Sequence, residues 1–156
     1  MPEYIFVTMD VPRSEGIVQA HEVVGSLLSL GFWAFSDSAP VAQKIGAGDS
    51  ALVYVGGKDR HYFVARCLVK DGLEPSSCQQ HATLSDLGLG FMRRTLPLQS
   101  VHWFPEPVRI KPLINQLQFI KDKKNYGLSL RLPARQIPTE DFDLIVTTGT
   151  VDSCDD

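Results

Sequence analysis

Apolar positions recur at strand and helix spacings along the first part of the chain and predict a strand–helix–strand opening. Residues 4–9 form a β-rich apolar run, which predicts a buried strand. An apolar stripe at helical spacing then predicts a helix that is capped by Ser14 and ended by Gly31. The aromatic run FWAF at residues 32–35 predicts a second strand. The stripe consists of Ile17, Ala20, Val24, Leu27 and Leu28.

The middle of the chain predicts a hairpin and then a long connection. A turn or two of helix is predicted at residues 40–45. Residues 51–55 and 62–69 alternate between apolar and polar positions, and the glycine-containing turn at residues 56–59 joins them, which predicts an antiparallel hairpin. Residues 71–100 have mixed polarity without a sustained period. Connections of this length in a compact domain are usually functional or mobile.

The last third predicts short elements. A strand pattern returns at residues 108–110, a short helix with proline in its first turn follows at 112–117, and weak alternation at 127–132 predicts another strand. Residues 138–141 open a final helix that packs through Phe142 and Ile145. Five or six short strands with antiparallel connections and three or four short helices predict an α+β domain with a curved or barrel-like, mostly antiparallel sheet.

Length and composition bound the domain organisation and the compartment. With 156 residues, of which 44% are hydrophobic and 21% charged, we expect one globular domain over residues 1–148 and a flexible acidic tail at 149–156. No apolar run is long enough to span a bilayer, and the first residues do not follow the pattern of a signal peptide. We therefore expect a cytoplasmic protein with no membrane partner.

Cysteine and histidine spacing gives little support to a disulfide or a metal site. The three cysteines, Cys67, Cys78 and Cys154, include no CxxC pair. Cys78 and His81 have a C-x-x-H spacing, but no second ligand pair follows it. We expect no metal and no cofactor.

Positive charge is concentrated in one segment although the chain carries a formal net charge of −3. A local basic surface on an acidic protein favours an anionic partner, of which phosphate backbones are the commonest. A solvated lysine-rich turn is the alternative. The cations are Arg109, Lys111, Lys121, Lys123, Lys124, Arg131 and Arg135, and they precede the acidic cluster Glu140, Asp141 and Asp143.

Catalytic motifs are absent from the sequence, whereas features suited to binding are present. The chain has no phosphate-binding glycine loop, no GxSxG and no HExxH. Its only two tryptophans are Trp33 and Trp103. Two tryptophan rings on facing segments would sandwich a flat heterocycle, and each ring that stacks on it would contribute roughly 1–3 kcal/mol. Core packing is the alternative for both.

The order of residues in the C-terminal half resembles that of EVE domains. The strings VRIKP, PLINQL, FIKDKKNYGLSLR and TEDFDLI follow one another between residues 108 and 145. EVE domains belong to the PUA-like superfamily, together with YTH and ASCH domains. The resemblance implies a PUA-like fold, in agreement with the α+β prediction. It also implies a nucleic-acid reader of the kind that holds a modified base in an aromatic-lined pocket.

The resemblance also implies roles for particular residues. Trp33, followed by Ser36, takes the place of the pocket tryptophan after the first helix. Trp103 lies where YTH domains close their aromatic cage, and Phe104 or Phe91 would substitute for it. Asn125 lies next to the lysines, close enough in sequence to line the same opening. The cations that would neutralise phosphates are Lys121, Lys123, Lys124, Arg131 and Arg135.

We therefore predict a non-enzymatic module that recognises a nucleobase, methylated or otherwise modified, in DNA or RNA, with any effector action supplied by a partner protein. Two alternatives stay open. One is an enzyme or enzyme subunit that acts on a small nucleotide-like ligand in the same pocket, with His61, His81 and His102 as its candidate residues. The other is an interaction domain whose basic segment docks an acidic protein.

Overall fold

The chain folds into a curled, mixed β-sheet surrounded by short helices. A computed structural model describes residues 2–13, 16–37, 39–56 and 61–150. In these ranges the predicted α+β class with a curved sheet is confirmed. The strands are β1 (Glu3–Thr8), β2 (Val11–Arg13), β3 (Gly16–Val18), β4 (Phe32–Phe35), β5 (Ser50–Val55), β6 (Tyr62–Val69), β7 (Glu74–Pro75), β8 (Arg94–Arg109) and β9 (Ala134–Ile137). The α-helices are α1 (Ala20–Leu30), α2 (Cys78–Asp86) and α3 (Thr139–Thr150), and 3₁₀ turns cover Val41–Lys44, Lys111–Leu113 and Tyr126–Leu130.

The main sheet has the strand order β4-β8-β6-β5-β1-β9, and β7 pairs with β8 outside this path. The pairing of β1 with β5 is parallel, and the other neighbours in the main sheet are antiparallel. The predicted antiparallel pairing of β5 with β6 is confirmed. Residues 57–60 of its predicted turn lie outside the described residues.

Strand β8 is 16 residues long and connects two parts of the sheet, because it pairs with two different strands along its length. Its first part pairs with β4, from Phe35↔Arg94 to Phe32↔Pro97, and its later part pairs with β6. The register shifts between Arg66↔His102 and Leu68↔Gln99, so β8 carries one residue more than β6 across this interval. Ser100 lies in it and has a positive φ of 53°. An extra residue of this kind bends a strand and increases its twist.

The sheet separates two hydrophobic clusters. Phe6 of β1 and Val53 of β5 pack with α1, whereas Ile5 and Leu52 on the opposite face pack with α3. Strands buried on both faces have nearly continuous apolar sequences. This explains the apolar run of β1 and gives the molecule two sides, which we name the α1 side and the α3 side.

The first helix begins later than its apolar stripe predicts. Helix α1 starts at Ala20, and Ile17 instead lies exposed on β3, which pairs with β2. The predicted cap Ser14 lies outside the described residues, and the carboxylate of Asp10 accepts the Ala20 N–H at 2.8 Å. The predicted end is confirmed, since Gly31 has a φ of 79° and donates its N–H to Leu27 and Leu28.

Two further predictions are wrong in the second half. Residues 71–100 are not an open connection, because they contain β7, α2 and the start of β8. Helix α2 begins with a capping box between Ser77 and Gln80 and has Leu84 as its buried residue, so it shows almost no apolar period. The strand predicted at residues 127–132 is absent, because the 3₁₀ turn Tyr126–Leu130 covers most of this range and strand β9 follows it.

The predicted final helix is confirmed and continues through Thr150, past the expected boundary at residue 148. Residues 151–156, including Cys154, lie outside the described residues. None of the helices in the described ranges is long and apolar enough to cross a membrane.

Candidate functional site

A cavity of about 400 Å³ opens on the α1 side, at the end of β1. Its wall combines the segment from β1 into β2, a residue of α1, strand β4, the loop after α2 and the segment that leads into β9. Cavities of roughly 300–1,000 Å³ are typical of small-ligand pockets. Residues that line it include Thr8, Met9, Asp10, Val23, Trp33, Phe91, Met92, Arg131 and Leu132.

Trp33 belongs both to the core and to the wall of the cavity. Strand β4 holds it opposite Leu96 of β8, and its ring stacks on Phe6 with centroids 5.8 Å apart and an interplanar angle of 17°. Only 3% of Trp33 is exposed, so it offers a small part of its surface to a ligand. The tryptophan therefore supplies a fixed apolar wall rather than one free plate of a sandwich.

The mouth of the cavity is lined by exposed apolar side chains. Phe91 is 62% exposed, and Met9 and Leu132 are about half exposed. Phe91 lies in the loop after α2, where Gly88 has a positive φ of 79° and Leu89 is buried in the core. Grouped exposed apolar residues beside a cavity are typical of ligand or partner contact.

The charged groups at the cavity are Asp10 and Arg131. One carboxylate oxygen of Asp10 accepts the first N–H of α1, which fixes the loop against the helix. Arg131 is exposed at the rim of the cavity. Two residues further on, the carbonyl of Pro133 accepts the Val7 N–H at 3.0 Å, which holds the segment from Arg131 to Pro133 against the end of β1. The arrangement thus joins an apolar chamber to a guanidinium that faces solvent.

The structure brings together three of the residues singled out from the sequence, namely Trp33, Phe91 and Arg131. It does not bring Ser36, Trp103, Phe104 or Asn125 to this cavity. Ser36 follows β4 and is half-buried. Trp103 lies on β8 opposite Ala65 and is about half exposed.

Phe104 and Asn125 have structural surroundings of their own. Phe104 is buried on the α3 side, where its ring fits so closely against Gly149 that an added Cβ would lie 2.6 Å from it. Asn125 donates from its backbone and side-chain nitrogens to the Asp122 carboxylate, both at 3.2 Å. These bonds, from the side chain first and then the backbone of Asn125, hold the pKa of Asp122 below its ordinary value.

The basic segment is anchored to the body of the protein through its own cations. Lys123 donates from Nζ to the Leu117 carbonyl at 2.7 Å. Arg135 donates from Nη2 to the Phe119 carbonyl at 3.2 Å, and its guanidinium lies 5.3 Å from the centre of the Phe119 ring. Lys121 and Lys124 are exposed. Two of the five predicted phosphate ligands thus make structural contacts, and Arg131 is the one at the cavity.

The histidines lie in separate places. Nδ1 of His61 is 3.3 Å from the Tyr54 hydroxyl, whose pKa is raised by burial and by the nearby Tyr126. His81 lies on α2, and His102 lies on β8. Within the described ranges, no group of three or more His, Cys, Asp or Glu residues is arranged to hold a metal ion.

Sequence reasoning missed Met9, Asp10 and Leu132 as cavity residues. They come from segments that are far apart along the chain, so no local spacing connects them. Leu132 is the last apolar position of the alternating run at residues 127–132, so the sequence placed it in a predicted strand rather than at a cavity.

Comparisons of the sequence find no match among protein-family models or among curated proteins. Solved structures do match. Human THYN1 in complex with DNA that contains 5-methylcytosine has a TM-score of 0.66 at 13% identity, over 97% of this chain and 99% of that one. The DUF55 domain of human thymocyte nuclear protein 1 has a TM-score of 0.64 at 11% identity, over 96% and 99%. The N-terminal domain of McrB from Staphylothermus marinus has a TM-score of 0.51 at 12% identity, over 94% of each chain.

These structural similarities extend over almost the whole chain, and at identities of 11–13% they show the fold alone. They agree with the curled mixed sheet and three α-helices described above. The chain therefore has the EVE-type, PUA-like fold that its sequence resemblance implies.

Proposed function

We propose that this chain is a nucleic-acid-binding module of the EVE type and that a nucleobase enters the cavity beside Trp33. The observation that carries the proposal is the cavity of about 400 Å³ whose mouth is formed by Phe91, Met9 and Leu132. A structure of the same fold, human THYN1, is in complex with DNA that contains 5-methylcytosine, which supports a base in DNA as the first ligand to test.

The chemistry of the cavity suits a flat, partly apolar guest. A base that leaves its stack loses about a few kcal/mol and must regain this in the pocket. Phe91 would stack on the base as it enters, while the Trp33 wall limits its depth. A methyl group on the base adds apolar area, worth about 0.8 kcal/mol for each buried carbon. An apolar chamber therefore favours a methylated base over the plain one.

Arg131 would bind the phosphate beside the flipped base. A guanidinium matches the geometry of phosphate oxygens and forms strong charge-assisted hydrogen bonds. Lys121 and Lys124 are exposed and would add charge to the same approach. We assign binding rather than catalysis to this site, so effector action would come from a partner protein. We further propose that residues 1–148 act as one such module.

The test is binding to short oligonucleotides in a Trp103→Phe background, which leaves Trp33 as the fluorescent reporter in the cavity wall. Single strands and duplexes that carry one 5-methylcytosine or one cytosine are titrated at two salt concentrations. We expect tighter binding to the methylated base. Phe91→Ala should weaken this binding about tenfold or more, because a lost stack costs about 1–3 kcal/mol.

Matched controls separate the site from the general surface. Leu30→Ala removes an exposed apolar side chain of α1 that does not line the cavity, and it should leave the affinity unchanged. Arg131→Gln should reduce the slope of log affinity against log salt by about one, whereas Lys44→Gln should not. Equal effects of Phe91→Ala and Leu30→Ala would exclude the cavity as the site, and no binding at low salt would exclude nucleic acid.

A further inference from the structure

A second, more polar cavity of about 250 Å³ lies on the α3 side. It is formed where β5, β6 and β8 meet the first turns of α3. The side chains that matter to its chemistry are Ser50, Arg66, Ser100, His102 and Phe142. The cavity beside Trp33 is on the α1 side, so the sheet separates the two cavities.

Arg66 and His102 place a guanidinium and an imidazole ring side by side at this cavity. They are direct cross-strand partners on β6 and β8. Side chains directly opposite each other on neighbouring strands are about 4.5–5.5 Å apart at Cβ. The described residues that line the cavity include no carboxylate to offset the positive charge.

Arg66 is half-buried, and neither Arg66 nor His102 makes a side-chain hydrogen bond or ion pair within the part of the chain that the structure describes. A guanidinium in a cavity is usually paired, because it has five donors and a permanent charge. The cavity therefore has the donors of an ion pair without the acceptor.

The backbone at this cavity is also unusual. Ser100 is the one non-glycine residue with a positive φ among the described residues. Strained or rare backbone conformations cluster at binding sites, where the surrounding structure maintains them. Ser100 lines the cavity together with Ser50.

From these observations we infer that the second cavity binds a phosphate group. Arg66 would bind two of its oxygens, His102 a third, and the two serine hydroxyls would donate the remaining hydrogen bonds. The phosphate comes either from a nucleic-acid backbone or from a small free ligand, since both present the same oxygens. This site does not depend on a base in the cavity beside Trp33.

The experiment is a titration of the ¹⁵N-labelled chain with sodium phosphate, followed by the amide signals of residues 66–68 and 99–102. Sodium chloride at equal ionic strength is the reference. We expect saturable shifts with phosphate alone. Arg66→Gln and His102→Gln should each weaken phosphate binding at least tenfold, whereas Lys44→Gln, which removes an exposed cation that does not line this cavity, should not.

A parallel titration with an unmodified DNA duplex distinguishes the two sources. If the backbone is the ligand, Arg66→Gln lowers duplex affinity and reduces the salt slope by about one. If a free ligand is bound, duplex affinity is unchanged while phosphate binding is lost. Equal shifts with chloride, or equal losses in Lys44→Gln, would overturn the inference. Thermal melting of each variant verifies folding, and Phe91→Ala should leave phosphate binding intact.

Discussion

The buried carboxylate of Asp141 holds the backbone at Gln118 and Phe119, just before the lysine-rich stretch, and its removal gives a sharp test of the fold. Asp141 is 1% exposed in the first turn of α3. One of its oxygens accepts the Gln118 N–H at 2.9 Å and the other accepts the Phe119 N–H at 2.8 Å. Phe119 and Ile120 are buried on the α3 side. The carboxylate therefore fixes the chain where the lysine-rich stretch begins.

The expected loss follows from the two bonds. A hydrogen bond to a charged group contributes about 1.5–3 kcal/mol, and leaving a buried donor unsatisfied costs about 1–3 kcal/mol. In Asp141→Asn the side-chain oxygen still accepts one backbone N–H, but the side-chain NH₂ faces the other N–H and cannot accept it. We therefore expect the free energy of unfolding to fall by about 1.5–3 kcal/mol. Asp141→Ala removes both acceptors, and we expect about 3–5 kcal/mol.

The assay is urea unfolding followed by circular dichroism, with midpoint and slope fitted together. Asp143→Asn is the matched control, because it removes the same charge from the same helix at an exposed position. Its effect should stay within about 0.5 kcal/mol. Equal destabilisation by Asp141→Asn and Asp143→Asn would refute the reasoning, since it would attribute the effect to helix charge rather than to the two bonds.

Two further predictions concern packing and thiol chemistry. Gly149→Ala should destabilise the fold by about 1–3 kcal/mol, because its Cβ would lie 2.6 Å from the Phe104 ring. Gly25 lies inside α1, and a Cβ added to it would have no neighbouring atom within 4 Å, so Gly25→Ala should instead stabilise the fold by about 0.5–1 kcal/mol. If thermal melting shows that the two variants shift the melting temperature in the same direction, the packing argument is contradicted. Burial raises the pKa of the Cys67 thiol to about 12 from 9.0, so alkylation at pH 8 with peptide mapping should modify exposed Cys78 and spare Cys67 until the protein unfolds. Equal alkylation of Cys67 and Cys78 in the folded protein would contradict the burial of Cys67. The raised pKa of Cys67 also means that its thiol contributes fully to stability below pH 9 and that this contribution is lost as the pH rises toward 12.

The family resemblance predicted the fold well because its most specific residues hold the structure together. In the string FIKDKKNYG, Phe119 and Ile120 are core residues, and Asp122 accepts hydrogen bonds from the turn that follows it. In TEDFDLI, the carboxylate of Asp141 accepts the N–H of Phe119, the first residue of that string, and the N–H of Gln118 just before it. These residues fit one another through contacts within the fold, so matching them identifies the architecture without identifying the ligand.

The candidate site was less predictable from sequence. Trp33 was found because it follows a helix whose end is marked by Gly31. The loop that contains Phe91 was hidden because α2, which positions it, has Leu84 as its buried residue and thus no apolar stripe. The cavity lies where separate segments meet. Their closeness depends on the pairing of β1 with β9, which brings Pro133 to Val7, and on the change of partner along β8, and neither leaves a local sequence pattern.

The distribution of cations bears on how such a module would discriminate between ligands. The chain has a formal net charge of −3, and Lys123 and Arg135, two of the cations of the basic segment, donate to carbonyl groups of their own segment. Each phosphate that a protein neutralises on duplex DNA adds about 0.9 to the salt slope, and this contribution is independent of sequence. Arg131 is the cation that lines the cavity, and in the proposed function exposed Lys121 and Lys124 add to it, so the sequence-independent share of the affinity would come from about three phosphate contacts and would be small. Most of the binding free energy in the proposed function would then come from the apolar chamber itself. Because phosphate contacts are the same for every sequence, a module that has few of them gains little from unmodified nucleic acid, and the base in the cavity determines what it binds.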